Sequence, residues 1–566
     1  MSITGAAIWR LMPAVLAACG TGVAMAGQEP VPETIYTGGN IYTLDPDRPR
    51  AEALAVAGDR IVAVGSNAAV LRRKAPTTAV IDLAGRTVLP GLIDAHCHPA
   101  SLGSFALGRI DLSQARSFEE VIALVAARVR AARPGEWILG GRWDHESWPD
   151  RKLPTHERLS AVSPDNPVWL TRVDGHAGLA NAAAMRLAGI TRDTPSPAGG
   201  EIIQDAAGEP TGLFIDNAEE LITRHIPQQQ YRTADLLLKA QELCLAVGLT
   251  GVHDAHVTPA DIDAYRELDK TGRLKLRVYA LLAGEHAREY FRTHGLLIGK
   301  HLTVRAAKLF ADGALGSRGA WLLAPYDDRP RDADGRPYTG LAVMPPEFIR
   351  QVALDGLRQG YQVCTHAIGD RANRETLNAY AAALAEHPVQ DHRFRIEHAQ
   401  LLAPEDTPRF AELGVIAAMQ PTHCTSDMRW VADRVGVRRA AGAYAWASLL
   451  RSGARIAAGS DFPVESHNPF LGIYAAITRQ NTGGEPSGGW HPEQRLTRTE
   501  ALRAFTLDAA YAAFEEHTKG SLTVGKLADF IVIDRDIMTC PARDIPETRV
   551  LRTVIGGQTV FMRPAD

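Results

Sequence analysis

The chain has 566 residues, of which 45% are hydrophobic and 22% charged, and its formal net charge is −4. This length and composition predict a soluble globular protein with room for more than one domain. The charge is nearly balanced and no Lys/Arg-rich run occurs, so a nucleic-acid partner is not indicated. Six cysteines without regular spacing argue against a disulfide framework and against a cysteine zinc ribbon.

Residues 1–26 have the pattern of an export signal. Arg10 precedes a short apolar stretch, 11–18, which is too short for a membrane-spanning helix. The signal has two possible cleavage positions. One is an Ala-x-Ala site at 24–26, and the other is a lipobox at 16–19 that would make Cys19 a lipidated N-terminus. No later segment predicts a membrane span. We therefore expect an exported protein, either periplasmic or lipid-anchored to a bacterial membrane, and the possibility of a homo-oligomer stays open.

Short strands are predicted at both ends of the remaining chain. Residues 34–90 are β-rich and interrupted by Gly and Asp, and a similar pattern returns at 515–566. The two ends are predicted to pair in one small β-sandwich.

Between these ends, from 91 to 514, apolar strands alternate with helical stretches, which indicates parallel strands. Eight candidate core strands predict an α/β fold with a (β/α)8 TIM-type barrel. They are 92–96, 168–173, a strand ending at 251–254, 304–310, 362–366, 394–398, 415–420 and 455–461. Long stretches at about 99–166 and 191–232 are predicted to be insertions that form a cap over the barrel mouth.

His96 and His98 are two residues apart at the end of the first predicted strand. Alternate residues of a strand face the same side, roughly 6–7 Å apart, so both imidazoles can reach one ion. Zinc accepts histidine nitrogen readily. A lone His-x-His is more often a solvated pair, but its position at a strand end favours a metal site.

His366, His398 and Asp461 close three later strands. Each histidine alone would more often pack in a core or cap a helix, and Asp461 could be a helix N-cap. Their matching positions in successive units favour a shared site instead, since the carboxyl ends of barrel strands meet at one mouth. A carboxylate there could ligate a metal and take a proton from bound water.

Lys308 lies in the middle of an apolar predicted strand. A charged lysine inside a barrel is costly unless it is paired, and burial lowers the pKa of the amine. A neutral amine can capture carbon dioxide to form a carbamate, which is an anionic bridge with two oxygens for metal. The alternative is a strand register that places Lys308 outside the barrel.

This ordered set of residues resembles the amidohydrolase superfamily and is most similar to its amidohydrolase-3 branch, which includes N-substituted formamide deformylases. The supporting motifs are 91–98, 173–176, 308–313, 366–370, 397–400, 459–461 and 525–529. The resemblance implies one or two divalent metal ions, with Zn²⁺ expected. It implies that His96, His98 and Asp461 hold one ion, and that an N-carboxylated Lys308 bridges to a second ion. The ligands of that second ion would be His366 and His398.

We therefore expect a hydrolase that cleaves a non-peptide C–N bond of a small molecule, such as an N-formyl or N-acyl amine. A metal-activated hydroxide would attack the carbonyl, with Asp461 as general base and then general acid. His176, Arg318 and His423 follow predicted strands and are candidate substrate-binding residues. Arg318 could pair with a substrate carboxylate. A structural role stays open for each of the three.

Three alternatives remain open. Lactone or other ester hydrolysis needs the same chemistry. A cyclic amidine deaminase of the same superfamily would usually carry a Glu shortly after the strand-five histidine, and none follows His366. A non-catalytic exported protein that binds metal or solute could share the fold, but it would need no general base such as Asp461.

Overall fold

The structure is a computed structural model that describes residues 30–227, 231–332 and 334–564. The predicted export signal, with Cys19 and the 24–26 cleavage site, lies outside the described residues. Within the described ranges no helix combines the length and apolarity that crossing a membrane requires.

The described chain begins with short strands that are rich in Ile, Val, Leu and Ala, broken by one short helix, α1 (Asn67–Leu71). The strands are β1 (Thr34–Thr37), β2 (Asn40–Tyr42), β3 (Arg50–Ala51), β4 (Ala53–Ala57), β5 (Arg60–Gly65), β6 (Ala79–Asp82) and β7 (Thr87–Pro90). One sheet has the order β5-β4-β1-β6, and β7, β2 and β3 belong to a second sheet. Side chains from both sheets, such as Tyr36, Leu54 and Val88, share one buried core.

The chain then enters the barrel through β8 (Leu92–Cys97), continues into α2 (Pro99–Leu107), and leaves for a cap. The cap is a six-stranded mixed sheet of order β13-β14-β12-β11-β10-β9. Its strands are β9 (Ile110–Asp111), β10 (Ile138–Trp143), β11 (Val168–Arg172), β12 (Ala177–Ala180), β13 (Gly200–Gln204) and β14 (Pro210–Asp216). Its helices are α3 (Phe118–Ala131), α4 (His156–Val162), α5 (Ala182–Ala188) and α6 (Glu220–Thr223).

After the cap, seven further strands join β8 in one parallel sheet of order β8-β15-β16-β18-β19-β20-β21-β22. The strands, with the short β17 that pairs on β18, are β15 (Leu249–Val257), β16 (Arg277–Ala283), β17 (Leu297–Ile298), β18 (Leu302–Phe310), β19 (Gln362–Ala367), β20 (Arg395–His398), β21 (Ile416–Met419) and β22 (Ile456–Ala458). The amide of Asp461, just after β22, donates to the carbonyl of His96 in β8 at 2.7 Å and brings the ends of the sheet together. The predicted TIM-type barrel is therefore confirmed.

Helices precede, separate and follow the later barrel strands, as the βα rhythm requires. They are α7 (Thr233–Ala246), α8 (Pro259–Lys270), α9 (Gly284–His294), α10 (Pro346–Gln359), α11 (Asp370–Glu386), α12 (Thr407–Leu413), α13 (Pro421–Asp427), α14 (Val431–Ala440), α15 (Trp446–Arg451), α16 (Pro469–Thr478), α17 (Arg498–Ala504) and α18 (Leu507–Ala512). The last three strands of the chain are β23 (Phe530–Ile533), β24 (Val550–Ile555) and β25 (Gln558–Met562). β23 pairs antiparallel with β7, so strands from both chain ends share the second sheet.

One predicted barrel strand was wrong. The run 168–173 forms β11, which lies between β10 and β12 of the cap sheet. Its place in the barrel is taken by β16, whose run 278–283 is as apolar. Buried strands of both sheets are apolar on both faces, so periodicity alone does not assign a run to one sheet. The predicted insertions at 99–166 and 191–232 are consequently parts of one excursion between β8 and α7.

Candidate metal centre and active site

The six predicted metal ligands lie at the carboxyl ends of barrel strands and line one cavity of about 250 Å³. His96, His98, Lys308, His366, His398 and Asp461 all belong to its wall. An adjoining space of about 360 Å³ shares several of these residues and adds His423. Side chains far apart in sequence thus meet at the barrel mouth, where this fold places its chemistry.

Asp461 is the residue on which the imidazoles converge. Its Oδ1 lies 3.0 Å from Nε2 of His98 and 3.7 Å from Nε2 of His96, and its Oδ2 lies 3.8 Å from Nε2 of His423. Burial would raise the pKa of Asp461, but the neighbouring His98, His96 and His423 hold it well below its usual range. The carboxylate is therefore ionised and able to ligate or accept a proton.

Two overlapping groups have donor atoms within 4.8 Å of one another: His96, His98 and Asp461, and His398, His423 and Asp461. His423, predicted as a substrate-binding residue, thus lies among the ligand candidates. His366 is outside both groups. Its Nε2 lies 3.4 Å from the carbonyl of Gly313, while its ring centroid is 4.5 Å from that of His398.

Lys308 points into the cavity, as predicted for a lysine inside the barrel. Its Nζ lies 3.4 Å from Nε2 of His96, and its side chain is buried. Burial lowers its pKa to about 8, against the opposing charges of Glu397 and Asp461. The neutral amine, which is the form that could be carboxylated, is therefore a minor fraction near neutral pH but a larger one than in an exposed lysine.

The buried histidines are oriented by polar neighbours. Nδ1 of His96 contacts the carboxylate of Glu397, and Nδ1 of His398 lies 2.7 Å from Oε1 of Gln420. Both partners are acceptors, so each Nδ1 donates and each Nε2 keeps its lone pair for the cavity. Burial holds the pKa values of His96, His366 and His398 well below the usual range, which keeps these rings neutral.

The strand-eight motif fits closely against the first strand. A Cβ on Gly459 would lie 2.5 Å from the amide nitrogen of His96, so only glycine fits there. Both carboxylate oxygens of Asp94 accept from Ser460. This contact fixes the position of Asp461 relative to His96 of β8 and to His98, which follows that strand.

These residues fit a divalent metal. Neutral imidazoles and an ionised carboxylate are the donors that zinc-class ions prefer. Oδ1 of Asp461 and Nε2 of His423 are buried and make no well-aligned hydrogen bond to any residue that the structure describes. Buried polar atoms without partners are costly, and a cation among them would satisfy both.

Of the predicted substrate-binding residues, His176 lines the cavity and Arg318 does not. His176 lines the cavity, and its Nδ1 is held by Asp216 at 2.7 Å. Burial alone would lower the pKa of His176, but the hydrogen bond to Asp216 raises it. The guanidinium of Arg318 instead pairs with Asp328 at 2.9 Å, and Arg318 is not part of the described cavity wall. The structure does not bring Arg318 to the other site residues.

Sequence reasoning missed three arginines of the cavity wall, Arg109, Arg142 and Arg172. Arg172 ends β11, which the sequence assigned to the barrel, and the other two lie in the cap. Finding them would have required the cap topology, because no local motif marks them.

Comparisons with known proteins agree with this geometry. The family model described as Amidohydrolase family, the amidohydrolase-3 branch, matches residues 79–561. Protein LONG AFTER FAR-RED 3 of Arabidopsis thaliana is 35% identical over 548 residues, which cover 94% of this chain and 92% of that protein. N-substituted formamide deformylase of Arthrobacter pascens is 30% identical over 548 residues, which cover 93% of this chain and 97% of that protein.

A solved structure is similar as well. An uncharacterized metal-dependent hydrolase from Pyrococcus furiosus superposes with a TM-score of 0.70 at 30% identity. The match covers 89% of this chain and 100% of that protein. The similarity therefore extends over most of the chain.

Proposed function

Because this chain belongs to the amidohydrolase family, and is thus a metal-dependent hydrolase of C–N bonds, we propose that it releases an amine from an N-formyl or N-acyl amine. The similarity to N-substituted formamide deformylase supports this substrate type. The observation that carries the proposal is the convergence of His96, His98 and His423 on the buried carboxylate of Asp461.

His96, His98 and Asp461 would hold one metal ion. His398, with His366 or His423 and an N-carboxylated Lys308, would hold a second ion, and we propose Zn²⁺ for both positions. A bound divalent ion supplies Lewis acidity, which acidifies water and polarises a carbonyl oxygen.

The protein's own groups account for the proton transfers. Asp461 is ionised and faces the cavity, so it can take a proton from the attacking water and return it to the leaving nitrogen. His176 has Nδ1 occupied by Asp216, which leaves Nε2 as its remaining polar atom to hydrogen-bond the substrate. Cap residues, among them Arg142 and Arg172, form one wall of the cavity.

The test is a panel of N-formyl and N-acyl amines, assayed for release of formate or acid and of amine. The wild-type protein should hydrolyse members of this panel, lose activity after chelation, and regain it with Zn²⁺. The Asp461→Asn variant should lose about 10²–10⁴-fold in kcat/KM, because the proton acceptor is gone.

Asp433→Asn is the matched control, since Asp433 lies on α14 with a side chain that is 58% exposed. Its kcat/KM should equal that of the wild type. Absence of hydrolysis of every amide by metal-loaded protein, or an unchanged kcat/KM in D461N, would contradict the proposal.

A further inference from the structure

Arg109 is a cation of the cavity wall for which the described part of the chain supplies no carboxylate partner. It lies just after α2 and faces the same cavity as His96, His98 and Lys308. Its Nε is buried and makes no hydrogen bond, and no carboxylate of the described chain lies within 4 Å of its guanidinium. Burial lowers its pKa, but an arginine keeps its charge in any protein environment.

The other arginines of the wall are compensated. Arg172 pairs with both Asp144 and Asp174, and Arg142 pairs with Asp111 at 2.8 Å. Arg109 itself is partly exposed to the cavity, but its Nε is buried; a cation that loses water there without gaining a counter-charge is costly unless a ligand supplies that charge. Arg109 therefore marks a place in the cavity that is complementary to an anion.

Arg142 places a second guanidinium near the same phenylalanine ring as Arg109. The guanidinium carbons of Arg109 and Arg142 lie 5.3 and 5.9 Å from the ring centroid of Phe105. Arg142 sits at a register shift between β10 and β11 and has a φ of +70°. A bulge of this kind redirects a side chain, and a strained backbone conformation is retained more often at functional sites. Nε of Arg142 is also buried without a partner in the described chain.

We infer that Arg109, aided by Arg142 of the same cavity wall, binds a carboxylate that the substrate carries at a distance from the bond that is cleaved. The inference rests on the proposed function and narrows its substrates to N-acyl amines with an anionic tail. His98 precedes α2 and Arg109 follows it, and the 9 residues of α2 span about 14 Å along the helix axis. The carboxylate therefore lies several bonds from the scissile C–N bond.

A series of N-formyl-ω-aminoalkanoates of increasing chain length, each compared with its uncharged terminal amide, tests this inference. The wild-type enzyme should prefer the carboxylate of each pair, most strongly at one intermediate length. Arg109→Met should lower kcat/KM for the carboxylates by roughly 10- to 100-fold, the usual effect of losing hydrogen bonds to a charged group, and leave the amides unchanged. Arg109→Lys should restore part of the preference, because it keeps the charge.

Arg158→Met is the matched control, since Arg158 is an ion-paired cap arginine whose side chain is 53% exposed. It should keep the wild-type preference, and the thermal midpoints of all three variants establish that they are folded. Equal kcat/KM for carboxylate and amide in the wild type, or a preference that survives R109M, would overturn the inference.

Calorimetric binding of 5-formamidopentanoate and its terminal amide separates the two proposals, because binding needs no turnover. Tighter binding of the carboxylate that is lost in R109M supports the anion site, even if no amide is hydrolysed and the proposed function fails. A carboxylate preference that R109M retains would mean that the anion binds elsewhere in the cavity, and the inference fails.

Discussion

At the scale of single residues, the site depends on buried groups whose charge states are set by their neighbours. Glu397 is fully buried between Arg395, which it pairs with at 2.8 Å, and Nδ1 of His96. Arg395 in turn donates to Nδ1 of His253 at 2.9 Å. This chain of contacts holds His96 in one tautomer and one orientation. The candidate metal ligand is thus positioned by residues on the side of its ring that faces away from the cavity.

Replacing Glu397 by Gln should weaken metal binding at His96. The amide is neutral and a weaker acceptor than the carboxylate, so His96 becomes a less basic ligand; loss of such a partner typically lowers metal affinity by about 10–100-fold. Metal content after dialysis against graded chelator would measure the change. The control is Glu386→Gln, since Glu386 is 46% exposed on α11. Equal metal retention in E397Q and wild type would contradict this role.

The sequence was sufficient for the ligand candidates because they follow strands with strong apolar patterns. His96, His366 and Asp461 each close such a run, and the barrel rule brings strand ends together. The sequence did not indicate Arg109, because no motif near this residue shows that its side chain lines the cavity. The position of Arg318 after the correct strand likewise did not reveal that its guanidinium pairs with Asp328 in the structure.

At the scale of elements, buried ion pairs connect the cap to the barrel. Arg434 of α14 pairs with Glu146, which lies in the short helix His145–Ser147 directly after β10. Both side chains are almost fully buried, at 3% and 4% exposure. Arg434 also pairs with Asp328 in the loop after β18. A barrel helix, a barrel loop and the cap therefore meet at one guanidinium.

Glu146 should make the stability of this junction depend on pH. Burial would raise its pKa, but the hydrogen bond from His145 and the charge of Arg434 lower it from 4.5 to about 2. A depressed carboxyl pKa contributes stability that is present above the unfolded pKa and is lost as pH falls from about 4.5 towards 2. Wild type should be more stable than Glu146→Gln at pH 5. This difference in the free energy of unfolding should be about 2 kcal/mol smaller at pH 3.

Urea unfolding at both pH values measures that difference. The matched control is Glu347→Gln, whose carboxyl lies on the surface of α10 beside Arg350. Its difference from the wild type should stay small at both pH values because water screens the pair. A wild-type minus E146Q difference that is the same at pH 3 and pH 5 would contradict the assigned role of Glu146.

The elements also show where sequence patterns lose information. The apolar run 278–283 contains Ala and Leu, which favour helices as much as strands, so β16 was not predicted. The run at 168–173 has the composition of a core strand and is one, but in the cap sheet. The predicted number of barrel strands, eight, was right. Which apolar run belongs to the barrel and which to the cap follows only from the hydrogen-bonded order of each sheet.

At the scale of the whole molecule, the candidate site and the contacts with the sheets of the two chain ends lie at opposite ends of the barrel. The metal-ligand candidates lie at the carboxyl ends of the strands, whereas the two sheets that contain β1–β7 and β23–β25 contact the amino ends. Arg277, the first residue of β16, forms two hydrogen bonds of 2.6 and 2.9 Å to Asp529, just before β23. Asp529 also accepts from the amide of Gly556 at 2.8 Å.

This pair should contribute mainly to stability. Both side chains are 4% exposed, and removing one partner of a buried ion pair leaves the other charge unsatisfied, which costs about 3–5 kcal/mol. Arg277→Met and Asp529→Leu should each lower the free energy of unfolding by about this amount, measured by urea denaturation. The double variant should recover part of the loss, because no buried charge is left alone.

The control for this pair is Arg292→Met, which breaks an exposed pair with Glu289 on α9 and should cost less than about 1 kcal/mol. Since Arg277 begins its strand and the site lies beyond the strand's other end, the folded fraction of R277M should keep the wild-type kcat. A double variant as unstable as the sum of the single ones would show that the two charges act independently. A lowered kcat in folded R277M would show that the contact between Arg277 and Asp529 also affects the geometry of the active site.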